Sequence, residues 1–112
     1  VITKNGVAYM ILDKEAIDKY DVHEGETEGF VNIPLSIKKV RMSIMLKQDE
    51  GYFRVSIRSK RGTSANKCAL EYFNGGGHEM AAGGRLYFPK DIAKSSMAAE
   101  YIERVTDIFL NK

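Results

Sequence analysis

The sequence predicts a single α/β domain, and three observations carry that reading. Residues 40–47 and 52–59 alternate apolar and polar side chains with the period of a strand. Residues 65–73 and 91–110 repeat apolar side chains with the period of a helix. At 112 residues the chain can bury one core and is too short for a second.

The elements follow in order. Residues 7–12 are apolar at every position, which predicts a short strand covered on both faces. An acidic helix over 13–20 comes next, with Asp13 capping its first turn and Ala16, Ile17 and Tyr20 on one stripe. Gly25, Gly29 and Pro34 punctuate 21–39, a connection with one or two helical turns around 30–33. In the first alternating strand Val40, Met42, Ile44 and Leu46 share one face, and Arg41, Ser43, Met45 and Lys47 the other. A hairpin turn over 48–51 leads to the second, where Phe53, Val55 and Ile57 point to the core. Arg54, Ser56 and Arg58 must then share the opposite face, which puts two guanidinium groups in line. Ser64 caps a central helix whose stripe is Ala65, Cys68, Ala69, Tyr72 and Phe73, and Asn74-Gly75 ends it in left-handed backbone. Residues 85–88 form another strand, stopped by Pro89. Ala98, Tyr101, Ile102, Val105, Ile108 and Phe109 mark a long C-terminal helix packed on the sheet.

Composition excludes several classes. With 44% hydrophobic and 29% charged residues, the chain is neither disordered, collagen-like nor coiled coil. No run approaches the roughly 20 apolar residues of a membrane span, so no membrane partner is expected. The single cysteine, Cys68, cannot form an internal disulfide and reads as a small buried residue, in keeping with a reducing, cytoplasmic setting. The net charge of +2 conceals a division: residues 1–37 carry three lysines against seven acids, whereas 38–67 carry nine bases against Asp49 and Glu50. That basic third is either the seat of an anionic partner or a set of solvated strand faces.

The most informative stretch is Gly75-Gly76-Gly77-His78-Glu79-Met80-Ala81-Ala82-Gly83-Gly84. Consecutive glycine amides can converge on an anion, and a short helix starting in His78 to Ala82 would add its N-terminal partial charge. Together these describe a phosphate cradle; the competing reading is a tight turn with closely packed neighbours. The dinucleotide fingerprint fails because Met80 stands where its third glycine belongs, and no Gly-Lys-Ser/Thr is present for a P-loop. Ala82 occupies the second histidine position of a zinc protease helix, and His23 is the one other histidine, so no metal is expected on this chain. His78 is thus read as a ligand contact, with a loop-capping role as the alternative.

These residues carry a resemblance. Val55-Ser56-Ile57-Arg58-Ser59, the helix end Glu71-Tyr72-Phe73-Asn74, the Gly75-Gly76-Gly77-His78 run and Ala81-Ala82-Gly83-Gly84 resemble the DHH-associated C-terminal domain of DHH-family phosphoesterases. Glu28-Gly29-Phe30-Val31-Asn32 and Ile37-Lys38-Lys39-Val40 resemble its entry segment in the nano-RNase and 3′-phosphoadenosine 5′-phosphate phosphatase branch, whose relatives include exopolyphosphatase-related proteins. Many relatives have a fourth glycine where this chain has Asn74, a residue that tolerates the same backbone region.

The resemblance implies a mixed sheet of about four to five strands flanked by helices. It further implies a substrate-binding domain, spanning 1–112, from the C-terminal part of a bacterial two-domain hydrolase. An N-terminal DHH lobe would supply the two manganese ions and be this domain's partner, with the parent dimerising through that lobe. The Asp-His-His motif of that lobe does not occur in this sequence. The expected substrates are short single-stranded RNA or a nucleotide 3′,5′-bisphosphate. Arg58, Ser59, Gly75, Gly76, Gly77 and His78 are the expected phosphate contacts, with Arg54, Lys60 and Arg61 adding general attraction. The other classes open to the sequence are a non-catalytic nucleic-acid-binding module, like the related domain of alanyl-tRNA synthetases, and an interaction domain whose glycines serve packing.

Overall fold

In the computed structural model, which describes residues 1–19 and 30–111, a five-stranded mixed sheet carries the domain. Strands β1 (Val7–Leu12), β2 (Met42–Asp49), β3 (Tyr52–Ser59), β4 (Gly76–His78) and β5 (Ala81–Tyr87) lie in the order β1-β2-β3-β5-β4. β1 pairs parallel to β2 and the other pairings are antiparallel. A short helix, α1 (Lys14–Lys19), follows β1. Helices α2 (Ala65–Tyr72) and α3 (Ala98–Leu110) cover one face, where Phe53, Val55, Ile57, Ile44 and Leu46 meet Cys68, Phe73, Ile102 and Val105.

The capping residues behave as their chemistry dictates. Asp13 Oδ1 accepts the Ala16 amide at 2.8 Å, and Ser64 Oγ accepts the Lys67 amide at 3.1 Å. At the other end of α2 the chain turns out through Asn74, whose φ of 52° is the left-handed conformation expected there. The amides of Phe73 and Gly75 both return to the Ala69 carbonyl. Gly51, at φ 77°, closes the β2–β3 hairpin.

Several expectations change. β1 is covered on both faces only in its first half: Val7, Ala8 and Tyr9 are buried but Met10 is exposed, and Val1 to Thr3 run along its outer edge through the Ile2–Ala8 bridge. Ser43 and Met45, expected on a polar face of β2, are buried. The 3-10 segment Phe30–Ser36, anchored by buried Val31, packs over that side of the sheet. No helix starts at His78. Residues 78–81 turn instead, and β5 begins at Ala81 rather than at residue 85, because Ala and Gly give no strand signal in isolation. The C-terminal helix begins at Ala98, after a 3-10 turn over Ser95–Met97, not near residue 91. Asp91 instead braces the end of β5, where its carboxylate accepts from the Tyr87 amide and the Asn74 side chain. Tyr20, His23, Glu28 and Gly29 lie outside the described residues.

Candidate phosphate-binding site

Strands β3 and β5 set the site by their register. Arg58 stands opposite Ala81, Ser56 opposite Gly83, Arg54 opposite Arg85, and Tyr52 opposite Tyr87. Alternation with buried Phe53, Val55 and Ile57 turns all of these pairs away from α2 and α3, onto the opposite face, whose β2 side at Ser43 and Met45 lies under the 3-10 segment. β4 extends the first row, because His78 stands opposite Ala81. Arg58, Ala81 and His78 therefore occupy one row across three strands, with Arg58 and His78 about 10 Å apart at ordinary strand spacing. A single alanine methyl stands between them.

Arg58 is half-buried and pinned through one nitrogen. Its Nη1 donates to the Ile57 carbonyl at 2.9 Å and to the Ala82 carbonyl at 3.4 Å. Its Nη2 and Nε make no hydrogen bond among the described residues. A planar fork held at one end with its remaining donors open is suited to a phosphate. His78 is exposed at the rim, and its ring has no hydrogen-bond partner among the described residues.

The glycines do not form a cradle of converging amides. Gly75 donates its amide to the Ala69 carbonyl at 3.1 Å, and Gly77 donates to Asn66 Oδ1 at 2.9 Å. Gly76 and Gly77 run extended in β4, and successive amides of a strand point to opposite sides instead of converging. Their smallness serves close approach: a Cβ on Gly75 would lie 1.8 Å from the Gly83 carbonyl oxygen, and one on Gly84 would lie 2.1 Å from that of Phe73. The end of α2 thus rests backbone to backbone on β5, and this packing delivers β4 to the edge beside Arg58.

The remaining expected contacts are scattered. Ser59 sits on the opposite face from Arg58 and is buried, with its hydroxyl donating to the Glu79 carbonyl at 3.3 Å and its amide to the Met80 carbonyl. It holds the turn that follows His78. Lys60 Nζ donates to the carbonyls of Ile37 at 2.8 Å and Lys38 at 3.4 Å, strapping down that loop. Arg61 is exposed in the next turn. Arg54 reaches Asp49 at 3.4 Å. The Glu50 amide, more than the Tyr52 hydroxyl or the neighbouring Arg54 and Arg85, holds the Asp49 carboxyl below its ordinary pKa.

Sequence reasoning missed four positions, namely Asn66, Glu79, Arg85 and Tyr52. Asn66 fastens the Gly77 amide, and Glu79 joins α2 to the turn through Ser64 Oγ at 2.7 Å and the Ala65 amide at 2.7 Å. Arg85 lies 4.7 Å over the Tyr52 ring. Extending the 85–88 strand backwards would have paired Arg85 with Arg54; Asn66 and Glu79 carry no sequence signal. Among the described residues no group of three His, Cys, Asp or Glu side chains could hold a metal ion. None of the described helices is long and apolar enough to cross a membrane.

Residues 4–106 match the DHHA1 domain. The chain belongs to the DHHA1 domain family. Over 87 residues, 77% of its length, this DHHA1 domain is 37% identical to the probable bifunctional oligoribonuclease and PAP phosphatase NrnA of Streptococcus mutans. It is 30% identical over 86 residues to the bifunctional oligoribonuclease and PAP phosphatase NrnA of Bacillus subtilis. The chain spans 27% of the length of each of these relatives. Among solved structures, an exopolyphosphatase-related protein from Bacteroides fragilis superposes with a TM-score of 0.85 at 37% identity, covering 99% of this chain and 32% of that one.

Proposed function

We propose that this DHHA1 domain holds the phosphate-bearing end of a short oligoribonucleotide, or of a nucleotide 3′,5′-bisphosphate, for hydrolysis by a DHH lobe of the same parent enzyme. The observation that carries the reading is the Arg58–Ala81–His78 row, in which Arg58 is anchored through Nη1 beside the small residues Ala81, Gly83 and Ser56. The names of the curated relatives support the substrate class.

The residues contribute differently. Arg58 offers Nη2 and Nε to two oxygens of one phosphate, and its Nη1 anchor fixes the fork before substrate arrives. His78 contributes a donor from the rim, on the far side of Ala81. Small Ala81 and Gly83 let a sugar or phosphate settle onto the sheet between them. Ser59, Asn66 and Glu79 act indirectly, by holding the β4–β5 turn. Two manganese ions on the DHH lobe would supply the activated water for attack on the phosphate.

The test is an NMR titration of this chain with 3′-phosphoadenosine 5′-phosphate and with a 5′-phosphorylated diribonucleotide. Saturable shifts at the Ala81 and Gly83 amides and the His78 ring, lost in Arg58→Ala, are expected. Shifts confined to other surfaces, or unchanged by Arg58→Ala, would overturn the assignment.

A further inference from the structure

The face that carries Arg58 continues along β3 and β5. Moving along β3 and β5, the rows are Arg58 with Ala81, Ser56 with Gly83, Arg54 with Arg85, and Tyr52 with Tyr87. Lys47 stands beside Arg54 on β2, in the same row and on the same face. Four residues of strand separate Arg58 from Arg54, a distance of about 14 Å at ordinary strand rise. Between these positive ends the floor on β3 and β5 consists of Ser56 and Gly83, and on the β2 side it is bounded by buried Met45 under the 3-10 segment.

The far end is organised for contact with a planar polyanion. The Arg85 guanidinium lies 4.7 Å over the Tyr52 ring, an attraction that ties the two side chains together. It makes no hydrogen bond among the described residues, so its donor edge is open. Tyr52 and Tyr87 lie with ring centroids 5.8 Å apart and close the track. Arg54 and Asp49 are both about half exposed at their 3.4 Å contact, an ion pair of the weak kind that a phosphate can displace.

We infer that this strip binds the body of a single-stranded oligonucleotide whose terminal phosphate sits at Arg58, with Lys47, Arg54 and Arg85 facing its following phosphates and Tyr52 and Tyr87 meeting a base. The inference rests on the Arg58 assignment proposed above. Charge decides the occupant: three cations against Asp49 favour a polyanion over an acidic or apolar peptide, and the aromatic end favours bases over polyphosphate. The track length corresponds to about four nucleotides at the roughly 3.4 Å charge spacing of a stacked strand.

The experiment is calorimetric titration of this chain with 5′-phosphorylated oligoadenylates of one to five nucleotides, and with inorganic polyphosphate as the base-free control. Affinity is expected to rise at least tenfold from one to four nucleotides and then level off. Arg85→Gln, at an exposed position, and Tyr52→Leu should remove most of that rise while changing mononucleotide affinity less than twofold. The salt slope for the tetramer should fall by about 0.7 in Arg85→Gln. Equal affinity for one and four nucleotides, with mononucleotide binding intact, would overturn the track and leave the Arg58 assignment standing. Polyphosphate binding as tightly as the tetramer would overturn the role given to the tyrosines. Absence of binding at every length, mononucleotide included, would overturn both proposals.

Discussion

Asn66 Oδ1 accepts the Gly77 amide at 2.9 Å, and through that bond the first turn of α2 fastens the edge strand that carries His78. β4 is three residues long and pairs with β5 alone, so this side-chain bond replaces the second neighbour an interior strand would have. Asn66→Ala should therefore lower global stability by only about 1 kcal/mol, the net worth of one hydrogen bond. Hydrogen exchange at Gly77 should accelerate well beyond that at Ala82. An unchanged exchange rate at Gly77 would show that β5 alone holds the edge.

The glycines separate into two kinds by what surrounds them. Gly75 and Gly84 face carbonyl oxygens and carbon atoms of the opposing backbone, which a methyl would have to displace. Alanine at either position should cost about 2–3 kcal/mol, the range for forced overpacking. For a domain of this size that is a fall in Tm of about 10 °C. Gly51 has open space around it but sits at φ 77°, so Gly51→Ala should cost about 1 kcal/mol from backbone strain alone. Thermal melts of the three variants check this order, and equal losses would refute the packing account.

The legible parts of the fold were those with a strong period. Tyr52–Ser59 showed its bounds and its two faces because Phe53, Val55 and Ile57 alternate with Arg54, Ser56 and Arg58. α2 was legible from Ser64, its stripe and Asn74. β4 and the first half of β5 were not, since Gly76, Gly77 and Ala81 to Gly84 have no side chains large enough to show a period, and their strand character comes from pairing with β3 and with each other. The same limit hid part of the site. Arg58 and His78 were singled out by type and motif, but that one Ala81 separates them follows only from register. Ser59 adjoins Arg58 in sequence, yet alternation sends it to the buried face, where it bonds Glu79.

Arg58 should be replaceable in charge but not in shape. Arg58→Ala is expected to weaken binding of 3′-phosphoadenosine 5′-phosphate at least tenfold, or about 1.4 kcal/mol. Arg58→Lys restores the charge without the fork, and a lysine cannot hold one carbonyl while presenting two parallel donors. It should recover less than half of the lost binding energy in the same titration. Full recovery with lysine would mean that Arg58 acts as a point charge rather than through geometry.

Burial, aided by the Glu71 carboxylate, pushes the Cys68 thiol up to about 12, far above the roughly 8.5 of an exposed thiol. A raised pKa means that the fold favours the neutral thiol. Its contribution to stability is complete below about pH 8.5 and is lost as pH rises towards the folded value. Between about pH 9 and 10 that loss should steepen towards about 1.4 kcal/mol per pH unit from this one group. The Tyr9 phenol, raised to about 12 by burial and then by its bond to Glu103, weakens the fold in the same direction, but its window opens only above about pH 10. Urea midpoints of the native chain should accordingly fall between about pH 8.5 and 10, while those of Cys68→Ala, lower at the start from the lost packing, should stay nearly flat. A parallel decline in both proteins would assign the pH dependence to other groups.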